Sequence, residues 1–238
     1  MSSKKIIWIA AIVVIFASCV SCTFFLPIKG NGNLVTSEKT VPAFEKISVS
    51  SSAEVRFHAS QEYRAVVTVD ENLDEYVEIV SKNNALNIGT KSGSYSFTKF
   101  SVDIYCPILS GVSVSGSGSF KNMDEITVST FETSVSGSGK IEGTVKCEKF
   151  SARISGSGKI NVGGNSKDAD IGISGSGRYN GNDFIVNNAT VRISGSGNAD
   201  VHVTENLKAN ISGSGGINYR GEPKTDTKVS GSGRIRKL

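Results

Sequence analysis

The sequence predicts an all-β fold, a single-domain parallel β-helix (β-solenoid) with rungs of about 19 residues. The tetrapeptide Ser-Gly-Ser-Gly occurs seven times, and its first serines are separated by 21, 19, 19, 20, 18 and 18 residues. Apolar and polar residues alternate on both sides of each copy, as in half-buried strands. A flexible linker would not keep this register, whereas stacked repeats that bury a face on their neighbours would. Parallel stacking is favoured because the hairpin signal Asn-Gly is rare, at Asn31-Gly32 outside the repeats and at Asn180-Gly181 in one repeat alone.

The chain begins with features typical of an export signal. Lys4 and Lys5 precede an apolar run from Ile6 to Phe16. Ala17-Ser18-Cys19 resembles a lipobox, although Phe16 replaces its usual leucine. We therefore expect residues 1–18 to be a lipoprotein-type signal peptide and Cys19 to be lipidated, with Cys22 as the alternative.

An uncleaved anchor is the other interpretation, because the 21 residues from Ile6 to Leu26 are mostly apolar and long enough to span a bilayer. In both cases residues 19–33 form a tether and the membrane is a partner. The predicted location is the cell envelope, membrane-anchored and extracytoplasmic, either periplasmic or on the cell surface.

Residues 34–110 are predicted to form irregular N-terminal rungs. The segments KISVSSSAEVRFHAS, YRAVVTVD, ALNIGT and FSVDIYCP alternate in polarity and are separated by turn residues. The segment NLDEYVEIV fits a strand or a short helix. No linker separates this region from the seven repeats of residues 111–238, so residues 34–238 are predicted to be one domain.

The repeats align into columns when the first serine of each motif is position 0. Position −1 is always an aliphatic β-branched residue, namely Val114, Val135, Ile154, Ile173, Ile193, Ile211 and Val229. We expect this column to lie in the core. Both glycines are predicted to occupy inward-facing positions at a corner of the rung. A side chain there would meet the opposite wall, or the backbone would need a positive φ, so other residues are excluded. Both serines are predicted to point outward, where stacked hydroxyls can bond to one another or to backbone.

The strand pattern and repeats together resemble the head GIN domain family, described as auto-transporter adhesins of exported or lipid-anchored bacterial proteins. The matching stretches are FEKISVSSSAEVRFH, VTVDENLDEYVEIVSKNNALNI, CPILSGVSVSGSGSF and the Ser-Gly repeats. Gly216-Ile217-Asn218 is the triplet behind the family name. The resemblance covers about residue 40 to the C-terminus and implies a right-handed β-helix. It implies no catalytic residue.

Composition and motifs argue against enzymes, metal sites and nucleic-acid binding. The 26 basic and 22 acidic residues leave a charge too small for nucleic-acid binding. The repeats lack the recurring carboxylates that β-helical polysaccharide enzymes use, and His58 and His202 lack spaced partners for a metal. We expect no cofactor. Cys106 and Cys147 occupy similar places two rungs apart, about 10 Å, too far for a disulfide.

One cationic column stands out among the outward positions. Position +4 stacks Lys140, Lys159 and Arg178 in three consecutive rungs, and position −2 adds Arg153 and Arg192. Like charges that face each other across a ladder are destabilising, so the column predicts an anion-binding stripe. The alternative is a solvated charged face, neutralised by the acidic residues Glu132, Glu142, Asp170, Asp200 and Asp226.

The predicted function is a non-catalytic, envelope-anchored, adhesin-like binding domain that contacts an anionic glycan or another envelope polymer. The alternative is a periplasmic accessory or sensor protein in envelope stress signalling, which would act by contact with an envelope protein. A carbohydrate-active β-helix enzyme is the third interpretation.

Overall fold

A computed structural model describes residues 26–238, so the predicted signal peptide, Cys19 and Cys22 lie outside the described residues. No helix in the described region is long and apolar enough to cross a membrane. The described residues are 71% strand and 3% helix, and their solenoid has about seven turns spaced about 19 residues apart. The predicted all-β solenoid is confirmed.

Strands before the repeats are short. They are β1 (Ile28–Lys29), β2 (Leu34–Thr40), β3 (Lys46–Val49), β4 (Glu54–Ala59), β5 (Arg64–Asp70), β6 (Val77–Lys82), β7 (Ala85–Thr90), β8 (Tyr95–Ser96) and β9 (Phe100–Cys106). The segment NLDEYVEIV, predicted as a strand or a short helix, contains both. Its first part belongs to a 3₁₀ helix (Glu71–Tyr76), and its last part belongs to β6, which follows directly.

Strands in the repeats lengthen until one strand makes a whole rung. They are β10 (Gly111–Gly116), β11 (Ser119–Asn122), β12 (Ile126–Thr127), β13 (Thr130–Gly137), β14 (Lys140–Gly156), β15 (Lys159–Gly175), β16 (Arg178–Gly195), β17 (Asn198–Gly213), β18 (Gly216–Arg220), β19 (Lys224–Ser230) and β20 (Arg234–Lys237). All pairings from β10 to β20 are parallel and connect equivalent motif positions, such as Ser136 with Ser155 and Ser155 with Ser174.

The first rungs do not stack in chain order. Strand β3 pairs with β10 on one side and with β7 on the other. Strand β4 pairs in the same way with β11 and β9. All four pairings are parallel. Antiparallel strands then flank this end of the solenoid: β6 pairs with β7, β5 with β9, and β2 with β5. The irregular N-terminal rungs are therefore two parallel rungs with an antiparallel edge.

The core follows the predicted inward columns. Position −1 is at most 3% exposed from Val114 to Ile211, and Ile173 is 3% exposed. Val229 is the exception at 42%, because β19 belongs to the last rung and has a neighbour on one side only. Phe131, Phe150 and Phe184 fill the wider part of the interior, with ring centroids 6.4 and 4.7 Å apart.

Cys106 and Cys147 are both free thiols, as expected, but their positions differ from the prediction. Cys106 ends β9, which pairs with β4, which pairs with β11, which in turn pairs with β14. The two cysteines are therefore three rungs apart and not two. Burial raises the pKa of the Cys106 thiol to about 12, so it stays protonated at neutral pH.

Candidate functional site: the Ser-Gly-Ser-Gly corner

The first glycine of each motif makes the corner of the rung. Its φ lies between +101° and +124° in all seven copies, a region that side chains rarely adopt. A Cβ at Gly156 would also lie 2.7 Å from the carbonyl oxygen of Gly137 in the preceding rung. This glycine is exposed or half-buried, so the prediction that both glycines point inward is wrong for the first one. Positive φ at the corner turns it outward.

The second glycine is buried beneath the aliphatic column. A Cβ at Gly158 would lie 2.3 Å from Cγ1 of Val135, and one at Gly177 would lie 2.4 Å from Cγ2 of Ile154. Each −1 side chain thus occupies the space that the second glycine of the next rung leaves open. The serines between are exposed, as predicted. A hydrogen bond between stacked serines is formed just outside the motif, at position −2, where Oγ of Ser113 and Oγ of Ser134 are 2.8 Å apart.

The +4 column stacks as predicted. Lys140 lies opposite Lys159, and Lys159 lies opposite Arg178. Lys140 is neutralised by Glu142, with Nζ and Oε2 2.8 Å apart, and this contact holds the pKa of Glu142 below its ordinary value. Within residues 26–238, Lys159 and Arg178 make no ion pair. Two adjacent exposed cations therefore lack a carboxylate partner.

The −2 column has the opposite character. Arg153 and Arg192 lie on either side of Gly172, and both reach Asp170, with N–O distances of 2.5 and 2.8 Å. Arg153 also donates to the backbone oxygen of Asp170, at 2.7 Å. The predicted five-residue stripe is thus two columns on opposite sides of the corner. Arg153 and Arg192 share this one carboxylate, so they are partly neutralised there, in the direction that the alternative interpretation expected.

Two grooves run along the axis on the −2 side of the corner. The serine groove encloses about 600 Å³ between columns −2 and 0 and crosses six rungs, from Ser136 to Ser230. The amide groove encloses about 490 Å³ between columns −6 and −4, beside Asp168, Asn188 and Asn206. Asn206 donates to Asn188 and Asn188 to Asp168, at 2.7 and 3.0 Å. The Arg153–Asp170–Arg192 bridge lies between columns −4 and −2, so it separates the grooves.

A family model described as "Putative auto-transporter adhesin, head GIN domain" matches residues 43–223. The chain belongs to the head GIN domain family. A search of curated proteins finds no match.

Solved structures of similar proteins agree with this assignment. A "putative lipid binding protein" from Parabacteroides distasonis is 28% identical with a TM-score of 0.74, over 89% of this chain and 99% of its own. A "putative adhesin" from Parabacteroides merdae is 29% identical with a TM-score of 0.73, over 89% and 98%. A "putative adhesin" from Bacteroides fragilis is 22% identical with a TM-score of 0.83, over 89% and 100%, and it supports the fold alone. These proteins are described as adhesins or lipid-binding proteins and not as enzymes.

The amide groove of this head GIN domain contains three carboxylates that sequence reasoning did not bring together. Glu132 binds Lys46, with Nζ and Oε2 2.8 Å apart, while Asp170 binds two arginines and Asp168 accepts a bond from Asn188. Glycosidases instead need one carboxyl held as an acid beside a second that is free to act as base or nucleophile. In this groove each of the three carboxylates already has a lysine, arginine or amide partner.

A second cluster that the sequence did not reveal lies on the early rungs. Arg56 donates two hydrogen bonds to Asp103, at 2.7 and 2.6 Å, and Nε2 of His58 lies 3.1 Å from the same carboxylate. These contacts hold the pKa of Asp103 below its ordinary value, with the Arg56 bond as the largest cause. The ring of Tyr105 stacks on His58 and also lies beneath the guanidinium of Arg64. The cluster joins β4, β9 and β5, so its partners come from separate segments of the sequence.

Proposed function

We propose that this head GIN domain is a non-catalytic, adhesin-like module of the bacterial envelope that lays its Ser-Gly-Ser-Gly corner along an anionic glycan or a similar polyanionic envelope polymer. The family description and the Parabacteroides merdae relative described as an adhesin support a binding role. The ligand class is inferred from charge and geometry at the corner.

The observation that carries the proposal is the contrast between the two cationic columns. At position −2 the fold supplies Asp170 for both arginines, and at position +4 it supplies Glu142 for Lys140 alone. Lys159 and Arg178 lie in adjacent rungs, about 4.8 Å apart, and such like-charged neighbours cost stability. A polymer with repeated anionic groups would remove that cost by supplying the missing counter-charges.

The corner also suits an elongated ligand. Exposed serines at positions 0 and +2 occur in every rung, and they provide hydroxyl donors and acceptors next to Lys140, Lys159 and Arg178. The serine groove runs parallel to the column along six rungs. Individual contacts would be weak, but a polymer that touches successive rungs gains affinity through multivalency.

The sequence of the N-terminal segment supports a proposal that this module is attached to a membrane. We propose that Cys19, or else Cys22, carries lipid after export, and that an uncleaved Ile6–Leu26 span is the alternative. Each arrangement keeps the solenoid on the extracytoplasmic side, where envelope polymers are found.

Binding to a uronate-containing or sulfated glycan at low and moderate salt tests the proposal. The variant K140Q/K159Q/R178Q should lose most of the affinity, while its Tm holds or rises because a like-charge stack is relieved. The control K82Q/K91Q/K99Q makes the same change in net charge at exposed lysines away from the corner and should bind as the wild type does. Equal affinity in all three proteins would contradict the proposal.

A further inference from the structure

The end of the solenoid where the tether enters carries an apolar surface. Leu26 is 84% exposed and Ile28 is 45% exposed. Strand β1 pairs with β8, which places Ile28 beside Tyr95. Hydrophobic side chains therefore begin with the first described residue and continue onto the folded domain.

Aromatic rings extend this surface across the end of the rod. The ring centroids of Tyr76 and Tyr95 are 5.0 Å apart, those of Tyr95 and Phe97 6.1 Å, and those of Phe97 and Phe100 4.7 Å. Phe100 is buried, while Tyr76, Tyr95 and Phe97 are half-buried. Partly exposed aromatic side chains with a polar hydroxyl are typical of the water–membrane boundary.

The tether is held rigidly against this end. The buried carboxylate of Asp70 accepts hydrogen bonds from the backbone N–H of Gly32 and of Thr98, at 2.9 and 2.8 Å, and from the Thr98 hydroxyl. Asn72 donates to the carbonyl oxygen of Lys29, at 2.8 Å. Because these bonds fix the path of residues 29–32, the preceding chain leaves from a defined point beside the aromatic rings.

The length of chain before Leu26 sets how far this surface can lie from a bilayer. Cys22 and Cys19 precede Leu26 by four and seven residues, which span at most about 14 and 25 Å when extended. An uncleaved Ile6–Leu26 span would end at the surface itself.

We propose that the end formed by Leu26, Ile28, Tyr76, Tyr95 and Phe97 docks on the membrane, with its apolar side chains in the lipid headgroup region. This inference rests on the membrane anchoring proposed above. It adds a contact between the folded domain and lipid, so that successive rungs carry the Ser-Gly-Ser-Gly corner away from the bilayer.

Charge around this surface favours contact with neutral lipid. Exposed Lys29, Lys91 and Lys99 lie on β1 and on the segment around β8, whereas exposed Glu71 and Glu75 lie on the 3₁₀ helix. Both signs are present, so anionic headgroups would attract some of these residues and repel others. Burial of apolar side chains is then the source of affinity, and it is insensitive to moderate salt.

Co-sedimentation of residues 26–238 with neutral phosphatidylcholine vesicles tests docking without the anchor. The solved relatives match this region over 98–100% of their own chains, so it folds by itself. The wild-type fragment should partition onto vesicles, and Ile28→Ser should lower the partition coefficient roughly tenfold. The matched control is Ile185→Ser, because Ile185 is also 45% exposed but lies on β16, several rungs away; its partitioning should equal that of the wild type.

Three results would overturn the docking surface: no partitioning, an equal loss with Ile28→Ser and Ile185→Ser, or binding that requires anionic lipid and disappears with salt. The variant K140Q/K159Q/R178Q should partition normally, so failure of the polymer-binding proposal remains distinguishable. Failure of the anchoring proposal is distinguishable too, because acyl chains on Cys19 or Cys22 are detected on the full chain by mass spectrometry.

Discussion

A methyl group added at Gly158 should destabilise the solenoid through the packing of adjacent rungs. Its Cβ would lie 2.3 Å from Cγ1 of Val135 and 2.8 Å from the carbonyl oxygen of Gly139. That oxygen accepts the N–H of Lys159 at 2.9 Å, so it cannot move aside without loss of a ladder bond. Overpacking of this kind costs about 1–3 kcal/mol. For a domain of this size Gly158→Ala should therefore lower Tm by about 2–12 °C.

Gly163→Ala is the matched control, because a Cβ there meets its nearest neighbour, the carbonyl oxygen of Asp183, at an ordinary 3.6 Å. It should change stability by no more than about 0.5 kcal/mol. Thermal unfolding followed by far-UV circular dichroism compares the two variants. The double variant V135A/G158A should cost less than the sum of the single changes, by at least about 0.5 kcal/mol, because the residues share one space. Equal Tm values for Gly158→Ala and Gly163→Ala would refute the packing argument.

Three further predictions concern the core, the N-terminus and acid stability. Ile173→Asp buries an unpaired charge in the −1 column and should cost more than about 4 kcal/mol, whereas Ser174→Ala should cost less than about 0.5 kcal/mol; similar denaturant midpoints would reverse the assigned parity. Mass spectrometry of the membrane-extracted protein should find acyl chains on Cys19, and an intact Met1 would contradict this. Because the pKa of Asp103 is lower in the folded state than its ordinary value, its stabilising effect is complete above the unfolded pKa of about 3.9 and is lost as the pH falls through the folded value. Asp103→Asn should therefore flatten the loss of stability below about pH 4, as measured by urea unfolding at stepped pH, and an unchanged slope would count against the Arg56–Asp103 pair.

The repeat region could be predicted from sequence because its information is local and redundant. Seven copies of the motif place Val114 through Ile211 in one column, and the same alignment places Lys140, Lys159 and Arg178 in another. Parallel pairing of equivalent positions then follows from stacking, and the structure has these pairs. The outward turn of the first glycine was missed because simple alternation does not account for a residue with positive φ.

The rung order and the ion pairs depend on contacts that no local pattern records. Strands β3 and β4 alternate like any other strands, but they are placed between β10–β11 and β7–β9 by pairings over long sequence separations. Asp170 was recognised only as a nearby acid. Asp170 contacts both Arg153 and Arg192 because Gly172, which lies between them, has no side chain. Arg153 extends across Gly172, and its Cδ would lie only 3.0 Å from a Cβ at that position.

The dependence of glycan affinity on salt concentration tests the central claim most directly. Polymer binding through the +4 column displaces salt ions from Lys159 and Arg178. Because salt screens charges over about 8 Å at physiological ionic strength, added salt should weaken this binding steeply. The wild type should therefore lose affinity for an anionic glycan as salt rises, and K140Q/K159Q/R178Q should show a weak, nearly salt-independent affinity. A steep and equal salt dependence in both proteins would place the binding charges elsewhere and contradict the account.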